Sequence, residues 1–127
     1  MLTFQHVSKS FKNQVILKDV HMEIADGEFV VFIGPSGCGK TTTLKMINRL
    51  LAPTSGHILL DGEDIRKKDC IKLRRNMGYV IQQTGLFPHM NIEDNIAVIA
   101  KLEHMPAKQR VEKVRQLMDM VDRKSVV

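Results

Sequence analysis

Apolar positions along this chain change their spacing near residue 40. Before it they come as short runs broken by turn residues. Residues 20–24 and 29–33 are two such runs, separated by Asp26-Gly27, and they read as two strands joined by a tight turn. The second run, Phe29, Val30, Val31, Phe32 and Ile33, shows no alternation, as in a strand buried on both faces. An earlier strand is expected over residues 2–7. After Gly39 the apolar positions Leu44, Ile47 and Leu51 recur at helical spacing, with Met46 and Leu50 widening the stripe. This helix is expected to run until Pro53 stops it. Thr54-Ser55-Gly56 is a turn, residues 57–60 a short strand, and Asp61-Gly62 a second turn signal. Asp69 is placed to cap a short helix through Arg75. Residues 78–82 read as another strand. Asn91 is placed to cap a helix through about Leu102, and Pro106 to open one running towards Val121.

Strands come first, then strand and helix alternate. That order predicts an α/β architecture with a partly parallel sheet. With 127 residues, 43% of them hydrophobic, the chain can bury one core, made mainly of Leu, Ile, Val and Met. The net charge is +5, but the basic residues are scattered among acidic ones and no aromatic-interleaved basic stripe occurs, so nucleic acid is not the expected partner. The Arg66-Lys67-Lys68 run and Lys72, Arg74 and Arg75 read as solvated faces. The two cysteines, Cys38 and Cys70, form no metal-ligand or disulfide framework, which favours a reducing cytoplasm. The strongest apolar run, residues 29–33, is far short of the about 20 residues a membrane span needs. No secretory leader is apparent.

The chemistry concentrates after that run, in Gly34-Pro35-Ser36-Gly37-Cys38-Gly39-Lys40-Thr41. This is the GxxxxGK[ST] phosphate-loop string, and it stands in the context the motif requires, between a buried strand and an amphipathic helix. Its glycines let the backbone turn tightly and approach a ligand. Successive N–H groups can then form an anion nest at the positive end of the new helix. Lys40 supplies a mobile positive charge and Thr41 a hard oxygen suited to Mg²⁺. Cys38 reads first as a small residue filling a variable position.

The whole chain resembles the N-terminal part of ATP-binding-cassette (ABC) ATPase subunits. The likeness rests on residues 34–43, on Gly78-Tyr79-Val80-Ile81-Gln82, and on Leu86-Phe87-Pro88-His89-Met90. The segment Lys45-Met46-Ile47-Asn48-Arg49-Leu50, with Leu73-Arg74-Arg75 and residues 79–83, is similar to importers of quaternary-amine osmoprotectants such as glycine betaine, carnitine or choline. The resemblance implies a P-loop cassette in which residues 1–127 are part of one ATPase domain: about 1–85 nucleotide-binding core, about 86–127 the start of a helical subdomain. It implies ATP and Mg²⁺ as cofactors, held by residues 34–41 with Thr42. It implies that Phe11 stacks on adenine and that Gln82, chosen over Gln83 by its spacing from Tyr79, joins Thr41 at the metal. Residues 86–89 would meet a membrane permease subunit, and a second ATPase subunit would complete a homodimer. The protein would lie in the cytoplasm, peripheral on the inner face of the cell membrane.

The likeness stops short of the family's later motifs. The signature loop, the acidic strand with its catalytic glutamate, and the switch histidine have no counterpart in these residues. The 127 residues are therefore expected to bind ATP without hydrolysing it, and to self-associate through the uncovered edge at residues 29–33. An ABC ATPase of another importer, a soluble non-transport ABC protein and an inactive nucleotide-binding module are the alternative readings.

Overall fold

A computed structural model describes residues 1–81, 83 and 85–121. The fold divides into two compact units, Met1–Gly78 and Tyr79–Val127. The first is built on β1 (Leu2–Phe11), β2 (Gln14–Ile24), β3 (Ser55–Leu60) and the short β4 (Glu63–Asp64), joined in the order β2-β1-β3-β4. Every pairing in this sheet is antiparallel. Helix α2 (Cys70–Arg75) closes the first unit, while α3 (Ile92–Leu102) and α4 (Ala107–Met120) form the second. Helix α1 (Lys40–Ile47) follows the glycine-rich loop.

The strand β1 is longer than its apolar pattern suggested, and a bulge explains how it buries its side chains. Leu2 and Phe4 point inward by simple alternation, but the next fully buried residue is Val7, three positions on. His6 takes a left-handed conformation (φ 50°) and absorbs the extra residue. The register shifts there against both neighbours. Strand β3 makes room for this kink with Gly56: a Cβ at that position would lie 2.2 Å from the His6 carbonyl oxygen. At the far end, Asp61 (φ 52°) and Gly62 (φ 82°) make the two-residue turn that pairs Leu60 with Glu63. Phe4, Val7, Met46, Ile58, Ile65 and Leu73 form the core of this unit.

Two expected strands do not form. Residues 29–33 and 79–81 join no ladder, so the partly parallel sheet anticipated from the element order is absent among the described residues. Parallel strands depend on being covered on both faces. Here Phe29 and Ile33 are each 92% exposed and Val80 is 96% exposed. The turn at Asp26-Gly27 exists, but the hairpin partner of β2 is β1, through Lys12-Asn13.

Helix α1 also ends earlier than expected, at Ile47 rather than at Pro53. Arg49 turns left-handed (φ 62°), and the Leu50 amide bonds back to the Lys45 carbonyl at 2.8 Å, closing the helix in a Schellman motif. The other caps follow their residues. The Asp69 side chain accepts from the Lys72 amide at 3.0 Å, and Asn91 from the Asp94 amide at 2.7 Å. Pro106 precedes the first residue of α4. Ala97 and Val114 are the buried contacts of α3 and α4. No helix among the described residues is long and apolar enough to cross a membrane.

Candidate functional site

Helix α1 starts without a side-chain cap. Its N-cap is Gly39 in a left-handed conformation (φ 101°), and the first intrahelical amide bond runs from Thr43 to the Gly39 carbonyl at 2.9 Å. The amides of Lys40, Thr41 and Thr42 precede that bond, so they stand at the positive end of the helix with no intrahelical acceptor. The helix has no acidic residue in its first turn to compete for them. Only glycine fits at the cap. A Cβ on Gly39 would come within 2.8 Å of Leu17 Cδ2, and the same position faces Ile16 at 3.1 Å. The loop is therefore pressed against β2 at its helical end.

The loop closes on itself through residues at its two ends. The Cys38 amide donates to the Pro35 carbonyl at 3.3 Å, which makes the outer turn, and Gly37 there is also left-handed (φ 81°). The Lys40 ammonium reaches back and donates to the Gly34 carbonyl, so its charge lies over the loop and not out in solvent. Thr43 donates its hydroxyl to the Gly39 carbonyl at 2.8 Å and is buried. Thr41 is exposed, which leaves its hydroxyl available to a ligand; Thr42 is half-buried. Pro35, Ser36 and Cys38 line the exposed rim, and Cys38 is a free thiol. Behind the loop a cavity of about 280 Å³ is lined by Leu17, Val20 and Met22 of β2 together with Phe32, Lys40 and Thr43. Its walls are largely apolar.

Phe11 sits at the end of β1, paired with Gln14, on the hairpin whose other strand touches Gly39. Its ring is 43% exposed, and the Lys9 ammonium lies 4.9 Å from its centre. The ammonium thus stands over one face of a partly exposed ring. Gln82 lies outside the described residues. The segment 86–89 is exposed.

Sequence reasoning missed the residue that shapes the 86–89 segment. Asn95, inside α3, accepts from the Phe87 amide at 2.8 Å. Its side-chain NH₂ lies within donating distance of the carbonyls of Phe87 (3.2 Å), Met90 (3.2 Å) and Asn91 (2.9 Å). It therefore staples this loop to the helix that follows. An asparagine in mid-helix is a poor helix former, and that misfit, four residues after the cap Asn91, was the available signal.

Comparison with known proteins follows the same lines as the geometry. The ABC transporter family profile matches residues 17–127. The chain is 54% identical, over 96% of its length, to the choline transport ATP-binding protein OpuBA of Bacillus subtilis, and covers 32% of that protein. It is 52% identical, over 94% of its length, to the osmoprotectant import ATP-binding protein OsmV of Salmonella typhimurium, covering 31% of it. The chain thus spans about a third of the length of the curated relatives it matches. Its fold is similar to the dimeric structure of a bacterial ABC transporter cassette, with a TM-score of 0.82 and 30% identity over 94% of this chain and 56% of that one. Phosphate-loop geometry, antiparallel subdomain and family profile agree, and the chain belongs to the ABC transporter family.

Proposed function

We propose that residues 34–41, with Thr42, hold the phosphates of ATP, and that the protein to which this chain belongs is the ATP-binding subunit of an importer for quaternary-amine osmoprotectants. One observation carries the nucleotide reading: α1 opens on a left-handed Gly39, its first amides unclaimed, with Lys40 folded over the loop and no carboxylate in its first turn. Such a donor set of N–H groups, an ammonium and a hydroxyl suits a polyanion. Mg²⁺ fits it too, since the exposed Thr41 hydroxyl is a hard ligand beside the phosphates; Gln82 would be the second protein oxygen. The bound metal supplies charge neutralisation on the phosphates. Phe11 offers the adenine a ring face.

The substrate class rests on relatives. Those between 50% and 54% identical carry choline, carnitine, glycine betaine or osmoprotectant in their names. A relative named for spermidine and putrescine import, from Bacillus thuringiensis, is 42% identical. That ordering favours the quaternary amine over another importer or a soluble non-transport ABC protein. Hydrolysis is assigned to the whole protein. Its partners would be a second ATPase subunit and permease subunits, the latter met by residues 86–89, at the inner face of the cell membrane. For these 127 residues alone we add self-association through residues 29–33.

The deciding measurement is calorimetric titration of the purified chain with MgATP. Binding that disappears in Lys40→Ala, while the variant keeps its circular dichroism spectrum, supports the reading. Equal binding by Lys40→Ala, or none by the wild type, overturns it.

A further inference from the structure

The phosphate-loop helix is held at its far end by two arginines, and we infer that Arg49 and Arg74 are positioning residues that set the orientation of the loop amides. This rests on the reading of residues 34–41 as a nucleotide site. The argument begins with how little packing fixes α1. The helix has only eight residues, and Thr43 and Met46 are its buried ones; Leu44 is half in solvent. Met46 is its one large fully buried side chain, and Ile47 packs against the same core only partly buried, so packing alone leaves a short helix freedom to turn about its axis. Yet a turn of α1 would swing the amides of Lys40, Thr41 and Thr42, since they are part of the same rigid body.

The far end is bound much more firmly. Arg74, on α2, donates from Nε to the Asn48 carbonyl and from Nη2 to the Arg49 carbonyl, both at 3.0 Å. These are carbonyls at the negative end of α1, where a guanidinium is doubly favoured, by hydrogen bonding and by the helix dipole. The link is returned: Arg49 Nη1 donates to the Lys68 carbonyl at 3.0 Å, one residue before Asp69 caps α2. Three hydrogen bonds thus join the end of one helix to the beginning and body of another, in two directions.

Arg49 is also in an unexpected conformation. It occupies the left-handed position that ends a Schellman motif, with φ 62°. Glycine is the default there, because a side chain is strained. A long charged residue at this position is explained by what its guanidinium does at Lys68. If Arg49 served only to end the helix, glycine would do better.

That contrast supplies the test. Arg49→Gly relieves the backbone and removes the guanidinium, so thermal stability and loop geometry part company. Three quantities are read on the full 127-residue chain: melting temperature, MgATP affinity by calorimetry, and the ¹H–¹⁵N shifts of the Lys40, Thr41 and Thr42 amides. We expect Arg49→Gly to melt no lower than wild type, to bind MgATP about fivefold or more weakly, the worth of roughly one hydrogen bond, and to shift the three amides. Arg49→Lys, which keeps a donor, restores most of the affinity. Arg74→Gln, which breaks the fork from the other side and leaves the Arg49 backbone alone, moves the same amides and serves if Arg49→Gly does not fold. Unmoved loop amides in a folded variant overturn the inference, as does an affinity loss that only tracks a fall in melting temperature. If wild type fails to bind MgATP, the nucleotide reading fails, and the amide shifts still decide whether the arginines orient the loop.

Discussion

Asp64 shows how a single carboxylate can be tied down on this sheet. Its Oδ1 accepts from the Arg66 backbone amide at 2.9 Å and from Arg66 Nε at 3.2 Å. Its Oδ2 accepts from Arg66 Nη2 at 2.9 Å and lies 2.8 Å from His57 Nδ1. The Arg66 guanidinium, then its amide and His57, hold the Asp64 carboxyl far below the ordinary value of 3.8. The folded state consequently binds fewer protons here than the unfolded state does in acid. The stabilisation is complete above that ordinary value and drains away as pH falls below it towards the depressed folded value. Asp64→Asn should cost about 1–2 kcal/mol at neutral pH, held down by the half-exposed Arg66. It should also flatten the acid limb of stability below about pH 4, where the carboxylate ordinarily titrates. Urea melts of both proteins at several pH values check this. Parallel acid limbs would show that Asp64 is not the titrating group. The loop glycines and Lys40 could be read directly, because the motif is a local string whose residues act on their own neighbours. Arg49 and Arg74 could not: they donate to backbone carbonyls, which leave no mark in a pattern of side chains.

Among the elements, those with a polar starter were the most legible. Asp69, Asn91 and Pro106 each stand before a helix, because a short acceptor side chain or a fixed φ resolves the problem of the first free amides. The end of α1 was harder to place. Leu50 and Leu51 continued the apolar stripe, and only the left-handed Arg49 shows that the chain has already left the helix. Asn95 belongs to the same class of hidden feature, and its consequence can be measured. Removing its side chain in Asn95→Ala frees the 86–89 segment by deleting one acceptor and the donors that reach three carbonyls. Because the side chain is partly buried, about 2 kcal/mol of local stability should be lost. The Phe87 amide should then lose hydrogen-exchange protection, while amides in β1 and β3 keep theirs, since those lie in the other unit. Asn95→Asp, which keeps the acceptor and loses the donors, should protect Phe87 to an intermediate degree. Unchanged exchange at Phe87 in both variants would mean the loop is shaped by its own backbone.

At the scale of the whole molecule, the apolar run at residues 29–33 predicts a strand buried on both faces, and the structure leaves it exposed and unpaired. A periodic pattern says that a segment is suited to be covered; it does not say by what. In the structure the run joins no ladder, and exposure alternates along it: Phe29, Val31 and Ile33 are 92%, 60% and 92% exposed, while Val30 is 44% exposed and Phe32 half-buried. An unpaired segment with exposed apolar side chains at alternate positions is suited to pair with a like segment. If two copies pair here antiparallel, each contributes three exposed side chains at about 1–3 kcal/mol apiece, against an association cost of about 4–15 kcal/mol. The midpoints of those ranges leave only about 2–3 kcal/mol, so dimers or larger species should build up only from about millimolar concentration upward. Light scattering over that range should show the average mass rising above the 14.4 kDa of one chain. Val31→Lys should hold the mass at one chain, because a lysine on the apolar face of an edge strand resists pairing, while leaving the Phe4, Val7 and Ile58 core untouched. A wild-type mass that stays at one chain throughout, or a Val31→Lys protein that associates as readily, would remove residues 29–33 as the contact.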